Sequence, residues 1–244
     1  MQLAIEERTL NAWPAQRNLL YDGWMLRFTG GYTRRANSIS ALYPGNENVA
    51  DKITWCEQQY RERNLSTIFK VCPFSSPDTL DHSLEDRGYQ RLAETDVMHA
   101  PITSLPSSKS ADSDIAILSR EQWLAAFAQI TRQEDTARLL HLAILSAMVP
   151  VVCPVVMMGE GIPKAIALGV LERGMVGIYD LVTDTRCRRQ GCATQILSTI
   201  LGWAISNGAT SAYLQVMSDN QTALRLYEKL GFAYCYKYWY RMKG

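Results

Sequence analysis

The chain has 244 residues, which at ~150 residues per domain leaves one large domain or two small ones open. Hydrophobic residues make up 47% and charged residues 20%, a composition that excludes disorder over most of the length and provides for a packed core. Lys+Arg 25 against Asp+Glu 24 gives a net charge of +1, so no pervasive basic bias points to nucleic acid or anionic lipid, and a charged ligand must be met locally.

The first residues, Met1-Gln-Leu-Ala-Ile-Glu-Glu-Arg8, are acidic where a secretory leader needs a basic segment and an apolar run. Hydrophobic periodicity then predicts strands at 24–28 and 36–42, a helix over 47–63, a strand at 67–71, a helix over 78–87 and a strand at 91–98. A Ser/Pro-rich stretch over 101–114 reads as a linker between an amino-terminal domain, 1–100, and a carboxy-terminal domain, 115–244. After it come a strand at 114–118, helices over 120–130 and 134–147, and strands at 153–159, 164–172 and 175–182. A helix over 192–207, a strand at 211–216, a helix over 221–230 and strands at 233–236 and 238–242 complete the chain. No stretch approaches the roughly 20 apolar residues of a membrane span, because Pro150 and Pro154 break the most apolar window. Six cysteines without a CxxC pair read as reduced thiols, and His82, His99 and His141 are not spaced as metal ligands, so no metal is expected. The expectation is a cytoplasmic α/β protein.

The two halves align as a faint repeat. Thr79-Leu-Asp-His-Ser-Leu-Glu-Asp-Arg-Gly-Tyr89 matches Thr222-Ala-Leu-Arg-Leu-Tyr-Glu-Lys-Leu-Gly-Phe232 without a gap, and Ser66–Val71 lies against Ser211–Val216. Any helix that ends in a glycine cap before a strand gives part of this likeness. The differences carry more: Leu84 stands opposite Tyr227, and Tyr43-Pro-Gly-Asn-Glu-Asn48, which lacks a cation, stands opposite an Arg-rich loop.

That loop is in Gly177-Ile-Tyr-Asp-Leu-Val-Thr-Asp-Thr-Arg-Cys-Arg-Arg-Gln-Gly-Cys-Ala-Thr194, where a β-branched strand runs through an Arg-rich turn into a helix. The first turn of a helix presents unpaired N–H groups and the positive end of its dipole. Gly191 lets a ligand approach the backbone, Cys192 and Ala193 are small, and Arg188 and Arg189, with Arg186 nearby, supply charge that pairs with phosphate oxygens. Neither the Walker A nor the dinucleotide-binding pattern is met, so a pyrophosphate is expected here without a magnesium-bound triphosphate or NAD.

The order Arg188-Arg-Gln-Gly-Cys-Ala193, then Asn220-x-x-Ala223-x-x-x-Tyr227-x-x-x-Gly231-Phe232, resembles the coenzyme A site of the GCN5-related N-acetyltransferase (GNAT) superfamily. The resemblance covers roughly residues 115–244, and the whole chain is similar to bacterial two-part, tandem GNAT-like members. It implies a mixed central sheet flanked by helices, with a degenerate GNAT-like half-repeat at the amino terminus. It also implies acetyl-CoA as the cofactor, with Leu181, Val182 and Thr183 binding the pantetheine arm and the amides of Arg188, Arg189, Gln190, Gly191, Cys192, Ala193 and Thr194 holding the pyrophosphate. Asn220 would contact the cofactor, and Tyr227 would stand by its sulfur as the general acid.

The implied activity is acetyl transfer to a primary amine of a small molecule, peptide or protein by direct attack. An ammonium of pKa ~10.4 must first lose its proton, so a base or water relay is needed. Some relatives carry a glutamate on the strand before the Asn-to-Tyr helix, where this chain has Gln215; Asp180 is the first substitute and Glu172 the second. One coenzyme A site per chain is expected, with Trp24, Arg27, Arg34, Arg35 and Asn37 of the first half as cleft or interface residues. Gln215 keeps a second reading open, a non-catalytic acyl-CoA-binding module. A third, transfer of an aminoacyl group from tRNA, finds poor support in a net charge of +1. No nucleic-acid or membrane partner is expected, and a homodimer is left open.

Overall fold

The computed structural model describes residues 1–102 and 115–243. In chain order its elements are α1 (Gln2–Ala12), β1 (Arg17–Tyr21), β2 (Trp24–Phe28), β3 (Ile39–Ala41), α2 (Val49–Arg61), β4 (Thr67–Val71), α3 (Leu80–Asp86) and β5 (Gln90–Pro101). They continue with β6 (Ile115–Ile117), α4 (Arg120–Thr131), α5 (Asp135–Ala147), β7 (Val151–Gly159), β8 (Ile162–Glu172), β9 (Met175–Thr183), α6 (Cys192–Ser206), β10 (Ser211–Met217), α7 (Gln221–Lys229) and β11 (Ala233–Lys243). The chain divides into two units, one of Met1–Val97, Met217–Asp219 and Cys235–Gly244, the other of Met98–Val216 and Asn220–Tyr234. The sequence places the final strand with the carboxy-terminal domain, but β11 pairs antiparallel with β4, Tyr240 opposite Lys70, and so completes the amino-terminal unit. Most of the expected linker, residues 103–114, lies outside the described residues.

In the amino-terminal unit the strands run β1-β2-β3-β4-β11. One face of this sheet is apolar: Trp24, Leu26, Ile39, Phe69 and Val71 pack with Ile53, Cys56 and Tyr60 of α2 and with Leu80 and Leu84 of α3. Those α2 residues recur every three or four positions, and Asn48 caps the helix by accepting from the Ala50 N–H at 2.8 Å. Other interior groups are polar. Lys70 of β4 ion-pairs with Glu6 of α1, both almost wholly buried, and the Tyr236 hydroxyl donates to the same carboxylate. Breaking a buried pair strands a charge, so Lys70→Met should cost about 3–5 kcal/mol in urea unfolding. The double substitution Glu6→Leu/Lys70→Met should recover most of that loss.

In the carboxy-terminal unit the order is β10-β9-β8-β7-β6, with β9 and β10 parallel and β6 to β9 antiparallel. α6 lays Ile196, Leu197, Ile200, Leu201 and Ala204 on Cys153, Val155, Ala165, Ala167, Val176 and Ile178. A Cβ on Gly169 of β8 would come within 2.7 Å of the Ile200 side chain, so this glycine lets α6 approach the sheet. Among the described residues, no helix is long and apolar enough to cross a membrane.

The repeat is visible as architecture. β1-β2-β3-α2-β4-α3-β5 and β7-β8-β9-α6-β10-α7-β11 are the same succession, with β3 and β4, like β9 and β10, parallel. α3 and α7 end alike: Gly88 and Gly231 have φ of 81° and 86°, and the following Tyr89 and Phe232 donate to the carbonyls of Leu84 and Tyr227, each at 3.0 Å.

Candidate functional site

Strand β9 changes character along its length. Its ladder with β10 runs from Met175 paired with Ser211 to Ile178 paired with Leu214, well short of the strand's end at Thr183. Beyond Ile178 the partner of β9 is β8, and there the register slips: Leu168 faces Tyr179 and Ile166 faces Val182, so Asp180 and Leu181 stand against Ala167 alone. This is a β-bulge, and Asp180 takes φ 49°, a left-handed value uncommon for a non-glycine residue. Leu181, Val182 and Thr183 are half-buried beyond it. Strict alternation from Ile178 would aim Asp180 at α6. The bulge instead brings its Oδ2 to 3.2 Å from Nε2 of His141 on α5, a fully buried histidine. Nδ1 of that ring lies 3.3 Å from Nε2 of Gln133, and Trp123 and Phe127 meet the ring edge-on at 5.9 and 5.0 Å.

The loop after β9 opens on a short 3₁₀ turn, Thr185–Cys187, capped by Asp184. The Asp184 carboxylate accepts from the Arg186 backbone N–H at 2.8 Å and from its guanidinium at 3.0 and 2.9 Å. Held chiefly by that guanidinium, Asp184 drops to a pKa of about 2. The expected cluster of three cations is thereby reduced, since Arg186 is tied to its own loop, while Arg188 and Arg189 are exposed. Arg189 and Gly191 have φ of 61° and 80°, and Gly191 is the N-cap of α6 with no side-chain cap bond. A left-handed residue followed by a helical one turns successive N–H groups toward one point, the geometry of an anion nest. A Cβ on Gly191 would find only Gln195 Nε2, at 4.0 Å, so the glycine opens outward. Gln190 donates to the Arg186 carbonyl at 3.1 Å, and Cys192, Ala193 and Thr194 form the first turn.

Asn220 caps α7, its side-chain oxygen accepting from the Ala223 N–H at 3.1 Å. Tyr227, 8% exposed, packs at 6.1 Å from the Phe232 ring, and burial pushes its pKa up to about 12. One apolar cluster contains Cys192, Tyr227 and Phe232 and takes in the partly buried Leu181, Cys187 and Ala223, so it joins the β9 end, the loop, the start of α6 and α7. Gln215 of β10 lies one residue past the last β9 pair, at the fork. Glu172 is corrected: it faces Met175 at the other end of β9, on the order of 15 Å from Asp180 at about 3.3 Å per residue, and pairs with Arg173 at 3.1 Å.

The family described as "Probable histone acetyltransferase Rv0428c C-terminal" matches residues 3–241. The chain belongs to this family. Its sequence is 28% identical over 247 residues to the "Uncharacterized N-acetyltransferase YobR" of Bacillus subtilis (strain 168), covering 98% of this chain and 97% of that one. Among solved structures its fold is similar to a GCN5-related N-acetyltransferase from Kribbella flavida, with a TM-score of 0.74 at 16% identity over 99% and 95% of the chains. It is also similar to a tandem GNAT protein from the clavulanic acid biosynthesis pathway, with a TM-score of 0.58 at 10% identity over 79% and 69%. Its fold is that of a two-part GNAT protein.

In this GNAT chain the amino-terminal copy of the loop is filled from within. Between β3 and α2 the Asp22 carboxylate accepts from the N–H groups of Asn46 at 2.9 Å and Glu47 at 3.0 Å, and Lys52 Nζ stands 2.8 Å away. Lys52 first, then these amides, lower Asp22 to a pKa of about 2. A depressed carboxylate stabilises above its unfolded value of about 3.9 and ceases to do so as pH falls through the folded one. Melting curves of Asp22→Ala and the parent should therefore differ at neutral pH and converge toward pH 2.

Of the first-half residues expected at a cleft or interface, Trp24, Arg27 and Asn37 are buried and hydrogen-bonded within the amino-terminal unit. Trp24 is buried and donates to the Ser76 carbonyl at 2.9 Å, and Arg27 is buried and donates to the carbonyls of Arg35 at 2.6 Å and Trp13. Asn37 accepts from Thr29 and Gly31 N–H and donates to the Tyr32 and Thr33 carbonyls. Arg35 lies over the Trp13 ring at 4.7 Å, and Arg34 is exposed. Sequence reasoning missed His141, whose signal was a histidine on the same helix face as Ile144 and Leu145.

Proposed function

We propose that this acetyltransferase uses acetyl-CoA and delivers the acetyl group to a primary amine by direct attack. One observation carries the reading: a strand edge released from its ladder, an uncapped helix start with a glycine nest, and a buried tyrosine are joined by one apolar cluster. The amides of Arg188 to Thr194, with the Arg188 and Arg189 side chains, would hold the pyrophosphate, and the backbone of Leu181, Val182 and Thr183 would pair with the pantetheine arm. The open backbone at Gly191 fits such a ligand, and so does the missing side-chain cap. Asn220 keeps its amide nitrogen for the cofactor while its oxygen caps α7. When bound, acetyl-CoA supplies an acyl group activated as a thioester.

The remaining chemistry belongs to the chain. Asp180 accepts the proton of the amine, the N–H near Val182 donates to the carbonyl oxygen as it gains charge, and Tyr227 gives its proton to the departing sulfur. Tyr227 remains a phenol at neutral pH because burial raises its pKa to about 12. Names among the relatives support an amine acceptor, since the Bacillus protein is called an N-acetyltransferase and the family is described as a probable histone acetyltransferase.

The test is release of free thiol from acetyl-CoA across spermidine, a histone H3 amino-terminal peptide and aminoglycosides, alongside calorimetry. Binding of acetyl-CoA with thiol release from at least one amine is expected. Binding without release from any amine overturns the enzymatic reading in favour of an acyl-CoA-binding module.

A further inference from the structure

We propose that Asp184 is the positioning residue of the acetyl-CoA loop: its carboxylate clasps Arg186 and sets the turn so that the amides from Arg188 to Gly191 converge before any ligand arrives. The role rests on the reading of this loop as the pyrophosphate cradle. Asp184 directly follows β9, whose last pair with β8 is Thr183 opposite Ala165. Each of its polar groups anchors the turn. Its N–H donates to the Lys164 carbonyl of β8 at 2.8 Å, and its carbonyl accepts from the Cys187 N–H at 2.9 Å. Oδ1 accepts from the Arg186 N–H at 2.8 Å and from Nε at 3.0 Å, and Oδ2 accepts from Nη2 at 2.9 Å. The constraint continues beyond Arg186, whose carbonyl accepts from Gln190 Nε2 at 3.1 Å, while the Cys187 carbonyl accepts from the Cys192 thiol at 3.6 Å. Bonds therefore run from β8 through Asp184 to residues on both sides of Arg189 and Gly191.

Charge and position predict opposite signs for the loss of this carboxylate. On charge alone, Asp184→Ala deletes an anion beside an anion site and releases the Arg186 guanidinium to the phosphates, so binding tightens. With the clasp setting the loop, the same deletion lets the turn sample other conformations that the ligand must then order, so binding weakens. The geometry favours position. The guanidinium meets the carboxylate with two prongs, and Arg189 holds a left-handed φ of 61° that a residue with a side chain keeps only where its surroundings impose it. The same guanidinium holds Asp184 ionised down to a pKa of about 2, so the clasp is present throughout the physiological range. With the Arg186 side chain 70% exposed, the pair adds little to global stability, and its effect is local to the loop.

The experiment uses the full chain, titrated with acetyl-CoA in the calorimeter and assayed with the fastest acceptor among spermidine, the histone H3 peptide and aminoglycosides. Asp184→Ala should weaken acetyl-CoA binding about tenfold and raise its KM to match, with kcat at saturating cofactor within about twofold of wild type. The melting temperature of the unliganded variant should stay that of the parent. Asp184→Asn, whose side-chain oxygen still accepts from the Arg186 N–H, should bind within about threefold of the parent. Binding by Asp184→Ala as tight as the parent's, or tighter, would overturn the inference and leave acetyl transfer standing. So would an Asp184→Asn variant as weak as Asp184→Ala. A parent that does not bind acetyl-CoA at all removes the cradle reading itself. Nitrogen-15 relaxation of the unliganded protein gives a readout free of cofactor: order parameters for the amides from Arg188 to Gly191 should be about 0.85 in the parent and below about 0.6 in Asp184→Ala. A parent loop already as loose as the variant's would overturn the proposal.

Discussion

Tyr227→Phe is expected to slow thiol release about 100-fold or more, with acetyl-CoA affinity within a factor of about two of wild type. The size of the effect follows from what the substitution removes. Tyr227 is buried in the cluster that joins the loop to α7, and its ring meets Phe232 at 6.1 Å, so phenylalanine preserves the packing and deletes only the hydroxyl. Burial raises the phenol to about 12, which keeps the proton in place at any physiological pH. A stronger hold on the proton makes a weaker acid, but the same apolar walls also disfavour a bare thiolate, so the donor and the group it protonates move together. The assay is single-turnover release of thiol with saturating amine. Difference absorbance between parent and variant should place the missing tyrosine's titration near 12 instead of the usual 10. A variant with unchanged turnover would remove Tyr227 from the chemistry.

Gly191→Val should weaken acetyl-CoA binding at least about 100-fold, measured by calorimetry, with the parent binding one cofactor per chain. Two effects combine. At φ 80° a β-branched residue is strained by about 1–3 kcal/mol, so the loop leaves the conformation that gathers its amides. Whatever part of that conformation survives places a side chain in the mouth of the nest, since only Gln195 Nε2 lies near enough to meet it. Gly191→Ala should fall between the two. The melting temperature separates general damage from local damage, because little of the protein touches this position. Binding unaffected by valine would sink the assignment of the loop to pyrophosphate. A single site is expected because the amides of Asn46 and Glu47 in the first half are already occupied by Asp22.

Elements built on apolar periodicity were legible in the sequence. Trp24–Phe28 and Thr67–Val71 form the strands expected, α6 ends one residue short of the expected helix, and the two halves share their order of elements. The misses have a common cause. α1 turns Glu6, Arg8 and Thr9 inward as well as Ile5, so its buried face carries no hydrophobic signal, and β1 is an exposed edge with no alternation to read. The expected strand at 36–42 shrinks to Ile39–Ala41 because Arg34–Ala36 coil into a 3₁₀ turn and Asn37 is spent on the loop before it. The two final strands are one, β11. At the site, chain order revealed the loop, the cap and the tyrosine, which lie on short contiguous motifs. It did not reveal the bulge that turns Asp180 toward His141, because the slip of register depends on β8, and α5 comes from a distant part of the chain.

The placement of β11 has a consequence for dissecting the molecule. The unit with the glycine nest and the unit with the Asp22-filled loop are not consecutive stretches of gene, since the last strand of the chain lies against β4 of the first half. A fragment ending before residue 115 would lack this neighbour, and the buried strand Thr67–Val71 would present an open edge of hydrogen-bonding groups, a template for aggregation. A synthetic peptide spanning 233–243 would be a natural complement for such a fragment, in the manner of donor-strand completion. The worn half, though its own loop is filled by Asp22, thus takes the end of its sister half into its sheet.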